Sequence, residues 1–574
     1  MDSVSTTCRS NNTQQLAHQH PTVDDQTALG WRIDWFGNLE MVWVKEPNME
    51  VIESIVRRQL NVPDGTFCTV SFLAEGAFNK VYTVQVSSND RYIMRIPLPV
   101  QPHLKTMSEV ATIDYVRHYT YIPVPAVLKF QATSQNELGF EWILMTHISG
   151  TQMGDQWRSI SSLKKKLIVR NMVSYLAQLF RKRFSYLGNL YATADLQRLP
   201  WAAGADATAP IAKMPGFESG FFLGQIVEQP LFWGNHLQFD INRGPFENSR
   251  DWLRAVLQVY ILGADHPVTL IDGSENDSDS DDEPSPLCSP EAIKVQAQRL
   301  MDLLPMIFPT DTSEIFVLHH HDLHENNIFI DGNHEISGVI DWEFVPTVPL
   351  WAACEIPKFL QSKLNRYVCP GQDLYSKKTL DDGTKDMDRL YYEHLAEYEK
   401  TQLRAVFLEE MQRVCPDWVD VYKNNKLKAA FGEAVALFGE KSNAKIIDEW
   451  LDVLEEHGDA PSIATMLTAY EQDATDSNSG QDEGSWSVIG VKRYSGAFTV
   501  CAVIRQSASF IPKILHNLHI TASKQARLNS AICSTPRSSL MAIPFRNKTS
   551  SSPMDDRAGL TWTPEGFFDK LRPQ

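Results

Sequence analysis

The residues with the most chemical potential lie together in "LHHHDLHENNIFIDGNHEISGVIDWE", Leu318 to Glu343. Four histidines, His319, His320, His321 and His324, fall within six residues, and Asp322, Asn327 and Asp341 add hard oxygen atoms. Two chemistries compete. A zinc site would use the histidines, but consecutive histidines on an extended chain alternate sides, so His319, His320 and His321 cannot all face one ion. The nominal pair His320 and His324 needs a helix that the following strand pattern argues against, and no cysteine or second histidine pair lies nearby. Phosphoryl transfer would use the oxygens instead. An aspartate in a loop orients an acceptor hydroxyl and takes its proton, while an asparagine five positions on and a second aspartate hold magnesium. The spacing D-x-x-x-x-N, followed by an apolar-apolar-Asp strand, favours this second chemistry.

Those three oxygens converge only if the chain between them folds back. "NIFID" and "ISGVIDW" read as two short strands around the turn-prone "DGNH". The hairpin sets Asn327, at the start of its first strand, near Asp341, at the end of its second. The apolar "EIFVL" delivers the chain to the loop that holds Asp322.

Around this hairpin the pattern changes along the chain. From "GWRIDWFGNLEMVWV" to Ile148 it is strand-rich, with runs "CTVSFLA", "KVYTVQV", "YIMRIPL" and "FEWILMTHI" and one helix near 107–118. From Gly150 to about Tyr470 it is mostly helical, as in "SSLKKKLIVRNMVSYLAQLFRKRF", "RLYYEHLAEYEKTQLRAVFLEEMQRV" and "NAKIIDEWLDVLEEH", with the hairpin as its one isolated strand pair. The expected fold is α+β: a flexible leader over 1–29, a strand-rich lobe over 30–149, a helical lobe over 150–473 and a mostly disordered tail over 474–574. The acidic run "GSENDSDSDDEPSPLCSP", 273–290, is too polar to join a core and is expected to be a disordered insertion.

Bulk properties narrow the classes of partner. With 43% hydrophobic residues and 14 tryptophans, the 574-residue chain can bury a large core. A net charge of −18 argues against a general nucleic-acid or anionic-membrane binder. No run of 18 apolar residues marks a membrane span. Eight scattered cysteines without a CxxC read as free thiols of a reducing compartment. The N-terminus lacks the apolar core of a secretion signal, and its one arginine, Arg9, makes a weak mitochondrial presequence. A cytoplasmic location is expected, with a mitochondrial one as the alternative.

Taken with these residues, the chain resembles the aminoglycoside phosphotransferase (APH)-like family, relatives of protein kinases, and especially its fungal branch. The resemblance covers roughly 50–360 and extends to the helices before about 470. It implies a protein-kinase-like two-lobe fold, ATP and magnesium as cofactors, and transfer of the γ-phosphate to a hydroxyl of a small-molecule acceptor. In the family "HxDLHxxN" is the catalytic loop and "IDW" carries the metal-binding aspartate. Asp322 then becomes the base, Asn327 and Asp341 the magnesium ligands, His320 the loop's structural histidine, and His324 a neighbour of the phosphate path. "LAEGAFNKVYTV" looks like the nucleotide-covering hairpin, with Gly76 letting backbone approach the phosphates and Phe78 and Asn79 at its tip. "YIMRIPLP" and "SEVATIDYV" look like the strand and helix whose cation and glutamate pair, here Arg95 and Glu109. "FEWILMTHISGTQMGDQW" resembles the hinge, where Thr146 to Ile148, including His147, offer backbone groups to adenine and Met145 backs the pocket.

Arg95 departs from the lysine of protein kinases, and the two cations are not interchangeable. Lys80 reads as a solvated turn lysine or an auxiliary phosphate ligand. Glu343 reads as a salt-bridge partner or a neighbour of metal-bound water. Asp155 reads as a helix cap, and Trp142, Trp157, Trp342 and Trp351 as packing. Two rival functions remain open. A non-catalytic nucleotide-binding scaffold would be expected to have lost one of Asp322, Asn327 and Asp341. A protein kinase would be expected to carry an "APE"-like segment after Asp341.

Overall fold

The computed structural model describes residues 26–34, 38–87, 90–198, 220–271, 289–311, 313–379, 384–476, 493–494 and 497–498. All of these lie in one unit, within residues 1–504. Most of the expected leader, nearly all of the acidic insertion and most of the expected tail lie outside the described residues. Where the boundaries can be checked, they shift. Strand β1 (Leu29–Ile33) starts inside the expected leader, Ser289 already caps a helix at the end of the acidic run, and the last long helix reaches Asp476.

The first lobe is built on a five-stranded antiparallel sheet of order β3-β4-β5-β7-β6. Its strands are β3 (Thr69–Glu75), β4 (Asn79–Gln85), β5 (Arg91–Pro97), β6 (Val127–Gln131) and β7 (Trp142–Thr146). Val84, Met94, Ile96 and Leu144 are wholly buried on its inner face against Ile52, Ile55 and Val56. Those three residues come from α1 (Met49–Gln59), a second helix of this lobe where the sequence pattern suggested only one. The signal was present, since Asn48 caps α1 by accepting hydrogen bonds from the amides of Glu50 and Val51, and the apolar residues recur at helical spacing. A separate hairpin joins β1 to β2 (Leu39–Trp43).

Helix α2 (Leu104–Tyr119) is buried on nearly every side, with Lys105, Thr106, Ser108, Glu109 and Thr112 among its buried residues. One face meets the five-stranded sheet through Val110, which packs with Ile143 and Met145. Another meets a second-lobe hairpin, β10 (Asn189–Ala192) with β11 (Phe221–Gly224): Met107 joins Tyr191 and Phe222 in one cluster, and Asn189 Nδ2 donates to Ser108 Oγ at 2.7 Å. The helix is therefore clamped between the lobes.

The second lobe is mainly helical. Helix α4 (Ser162–Arg181), capped by Ser161, packs along α9 (Arg389–Val414), capped by Asp388. Helix α6 (Ser249–Gly263) packs on α7 (Pro290–Ile307) in a second core that includes Phe431 and Trp450. The hairpin that carries Asn327 and Asp341 is not the isolated pair expected. Strand β13 (Ile328–Ile330) pairs with β14 (Ile336–Val339) on one side and with β8 (Thr151–Gln152) on the other. Strand β12 (Phe316–Leu318) is flanked by β15 (Thr347–Pro349) and β9 (Arg183–Phe184). Two- and three-residue strands show too little alternation to be read from sequence. Among the described residues no helix is long and apolar enough to cross a membrane, and Cys68, Cys354, Cys369 and Cys415 are free.

Candidate active site

The hairpin closes as its sequence suggested. Asp331 Oδ1 accepts from the amides of Asn333 and Glu335 at 2.9 Å each, so the aspartate side chain itself holds the turn. At the open end the Ile340 amide donates to the Asn327 carbonyl at 3.0 Å, which sets Asp341 beside Asn327. Asp341 takes a left-handed backbone, φ +70°, a conformation that aspartate tolerates better than most residues and that turns the chain sharply here.

Asp322 sits in the preceding loop with its side chain 8% exposed. Asn327 Nδ2 donates to the Asp322 carbonyl at 2.9 Å and faces its Oδ2 at 3.4 Å, so the two residues brace one another. Lys358 Nζ donates to Asp322 Oδ1 at 2.9 Å. Burial works to raise the Asp322 pKa, but the Lys358 ammonium outweighs it and holds the carboxyl below its ordinary value.

The histidines serve the loop. His320 donates from Nε2 to the Ile340 carbonyl at 2.9 Å, accepts from the Asp322 amide at Nδ1, and stands edge-on to Trp342. Both ring nitrogens are spent, and burial pushes its pKa down to about 4, so the ring is neutral. His319 turns to Glu355 at 3.1 Å. His321 is also driven down, to about 3, chiefly by burial. His324 accepts from the Asn326 amide, and its Nε2 lies 3.6 Å from Asp322 Oδ2.

The cation of β5 meets its partner on α2. Arg95 Nε lies 3.0 Å from Glu109 Oε1, an ion pair whose angle is too bent for a hydrogen bond, and Glu109 Oε2 has no hydrogen-bond partner among the described residues. Arg95 also reaches across to the hairpin end, donating to Asp341 Oδ1 at 2.7 Å and approaching Glu343 Oε1 at 3.1 Å. Burial disfavours the guanidinium, but the three carboxylates overcome that and keep it charged. Burial raises the Glu109 pKa to about 7, with Arg95 opposing, and raises that of Asp341 as well.

Glu343 is the salt-bridge partner that was one of its two readings, and it is the hub of a network whose other members, Lys105 and Asn79, were not read as its partners. It accepts from Lys105 Nζ at 2.6 Å and from Asn79 Nδ2 at 2.9 Å, and Lys105 donates in turn to Asn79 Oδ1 at 2.9 Å. Burial opposes the charge on Glu343, yet Lys105 and Arg95 hold its pKa at about 2. Lys105 itself is 2% exposed and lies over the Phe344 ring. Its sequence signal was the four-residue spacing to Glu109, which puts both on one face of α2. Lys358 carried no local signal.

The nucleotide-side residues divide. Gly76 stands in open space at the hairpin turn, its amide donating to the Asn79 carbonyl at 2.9 Å. Phe78 and Asn79, expected at the loop tip, are buried: Phe78 packs edge-on to Phe232 and Phe344, and both ends of the Asn79 amide are engaged inside the protein. Lys80 is neither a solvated turn lysine nor a phosphate ligand here, because its Nζ is held by Glu46 and lies over Trp43. Met145 is buried beneath the hinge. The Thr146 amide is committed to the Ala126 carbonyl at 2.9 Å, which leaves His147 and Ile148 as the hinge residues expected to serve adenine. His147 is half-buried, and burial together with Arg91 lowers its pKa. Asp155 lies in the first turn of α3 (Met153–Gln156) and does not cap it. Trp142, Trp342 and Trp351 are buried, and Trp157 donates to Glu399 at 3.2 Å.

The donor set fits magnesium better than zinc. Among the described residues no group of three or more His, Cys, Asp or Glu side chains is arranged to hold a metal. Magnesium needs only one or two protein oxygens when phosphates supply the rest. The Asn327 amide oxygen and the Asp341 carboxylate are such oxygens. Around them, three carboxyl groups (Glu109, Asp341, Glu343) face two cations (Arg95, Lys105), an excess of one negative charge when all three are ionised.

Comparison with known proteins follows the same lines. The model of the phosphotransferase enzyme family matches residues 69–218 and 274–351. A subtelomeric hrmA-associated cluster protein of Aspergillus fumigatus is 33% identical over 178 residues, 31% of this chain and 32% of that protein. The altered inheritance of mitochondria protein 9, mitochondrial, of Yarrowia lipolytica is 25% identical over 288 residues, 47% of this chain and 48% of its own. The chain thus spans between about a third and a half of the length of these relatives. Among solved structures, a Plasmodium vivax ethanolamine kinase is 11% identical with a TM-score of 0.35, covering 69% of this chain and 81% of its own. A putative aminoglycoside phosphotransferase from Ralstonia eutropha is 12% identical with a TM-score of 0.34, covering 72% and 91%.

Proposed function

We propose, for a chain whose residues 69–218 and 274–351 match the model of the phosphotransferase enzyme family, that it transfers the γ-phosphate of ATP to a hydroxyl of a small-molecule acceptor, with magnesium. The observation that carries this reading is the meeting, in one contact network, of Asp322 and Asn327 with Asp341 and the Arg95–Glu109 pair. Asn327 and Asp341 would hold magnesium, which when bound offsets phosphate charge. Asp322 orients the acceptor hydroxyl and accepts its proton; Arg95, held by Glu109, faces the phosphates; His147 and Ile148 serve adenine. Most of the rate then comes from positioning and charge compensation. Nothing in this reading calls for nucleic acid. The names of the altered inheritance of mitochondria relatives, though not of the Aspergillus fumigatus ones, support a mitochondrial rather than a cytoplasmic location, which fractionation of cells expressing the tagged chain decides.

The test is an ATP-dependent phosphorylation screen against a metabolite extract, with Asp322→Asn alongside. The parent should consume magnesium-ATP, and the variant should bind it equally well and lose turnover by at least about a hundredfold. An Asn variant as active as the parent would show that Asp322 is not the base. A parent that binds magnesium-ATP without turning it over would instead be a nucleotide-binding scaffold.

A further inference from the structure

We propose that Lys358 is a positioning residue for phosphoryl transfer, fixing which oxygen of Asp322 meets the acceptor hydroxyl; this rests on Asp322 being the base. Lys358 arrives from outside the catalytic loop, in the short turn Lys358–Leu360 that follows α8 (Leu350–Ala353). The turn is pinned to the loop, since the Phe359 amide donates to the Leu323 carbonyl at 2.9 Å and Phe359 is wholly buried. From the other side Arg404 donates to the Leu360 carbonyl. The lysine side chain is thereby held at 17% exposure with Nζ 2.9 Å from Asp322 Oδ1.

The effect is to make the two oxygens of Asp322 unequal. An aspartate carboxylate turns easily about its last torsion, which is broad and nearly two-fold. Here Oδ1 takes a short, charge-assisted bond from Lys358, whereas among the described residues Oδ2 has only Asn327 Nδ2 at 3.4 Å and His324 Nε2 at 3.6 Å. Oδ2 is the oxygen left to the acceptor. In the transfer the hydroxyl oxygen bonds to the γ-phosphorus as the bond to the bridging oxygen breaks, ADP keeps that electron pair, and the hydroxyl proton passes to Oδ2. Lys358 keeps its protons throughout and holds the carboxylate plane while this happens.

Magnesium-ATP hydrolysis, with water as acceptor, tests the assignment on the full-length chain. Lys358→Met should lower kcat about a hundredfold, the scale of an ångström's misplacement, with the KM for ATP within about twofold. Lys358→Arg, which keeps a charged donor, should stay within about tenfold of the parent. Adding Lys358→Met to Asp322→Asn should cost little more than Asp322→Asn alone, because no carboxylate remains to be held. Should the Met variant fail to fold, Lys358→Gln, which keeps a donor without the charge, should show the same selective fall in kcat. Independent, multiplying losses in the double variant, or a kcat within twofold of the parent in a folded Met or Gln variant, would overturn the role of Lys358 alone. A parent that releases no phosphate would overturn the phosphotransferase reading and this assignment with it.

Discussion

Replacing Lys105 by methionine tests whether the network behind Arg95 is as tightly coupled as it looks. Methionine keeps the length and most of the volume of the side chain and removes only its charge and donors. Glu343 would then stay buried with Arg95 and Asn79 as its remaining partners. Breaking one side of a buried ion pair costs about 3–5 kcal/mol, because the surviving charge is stranded away from water. The protonation behaviour of Glu343 gives a second figure. Its pKa falls from an ordinary 4.5 to about 2, with Lys105 the largest favourable influence, and such a depression corresponds to about 3 kcal/mol of stabilisation at neutral pH. The sign follows from the direction. A carboxyl depressed in the folded state stabilises fully above 4.5 and loses that contribution as pH falls toward 2. Urea unfolding at pH 7 should therefore find Lys105→Met less stable by about 3 kcal/mol with an unchanged m-value. Pairing it with Glu343→Leu should recover part of the loss, since apolar replacement of both partners removes the stranded charge. A single variant within about 0.5 kcal/mol of the parent, the scale of ordinary surface substitutions, would refute the coupling.

Two further substitutions probe the frame around the site. Gly150 has φ +114°, and a Cβ there would stand 2.2 Å from the Ile330 carbonyl oxygen of the hairpin that carries Asn327 and Asp341. Gly150→Ala should cost more than the ~1–3 kcal/mol of the backbone strain alone, seen as a lower urea midpoint, and should weaken magnesium-ATP binding because the hinge backs onto that hairpin; a parent-like midpoint would count against it. Glu228 is raised to about 7 by burial, partly opposed by the hydrogen bond from Trp252 at 2.8 Å. A raised carboxyl stabilises fully below 4.5 and loses that contribution as pH climbs through 7, so Glu228→Gln should flatten the melting-temperature profile between those values and melt higher than the parent at pH 8.

The parts of this molecule legible in its sequence are those where chemistry and period coincide locally. Asp322, Asn327 and Asp341 could be placed together because a two-stranded hairpin with a strong turn signal spans the gap, and backbone pairing at Ile340 and Asn327 is enough to join them. The long helices α4 and α9 were legible from apolar spacing. Legibility failed where a residue's role depends on distant chain. Asn79 looks like a loop-tip amide until Glu343, 264 residues away, takes its nitrogen. Lys80 looks solvated until Glu46 and Trp43 close over it. Lys105 and Lys358 follow the same rule in the opposite direction, since each looks like one lysine among many until the fold buries it against a carboxylate. The two are nevertheless unequal in kind. Lys105 is locked into a closed set of protein partners, Glu343, Asn79 and the Phe344 ring, so its removal should be felt first as lost stability. Lys358 stands on the one carboxylate that the proposed reaction must keep oriented, so its removal should be felt first as lost turnover. Burial of a lysine against an acid thus marks both residues, and only the identity of the acid separates a structural cation from a positioning one.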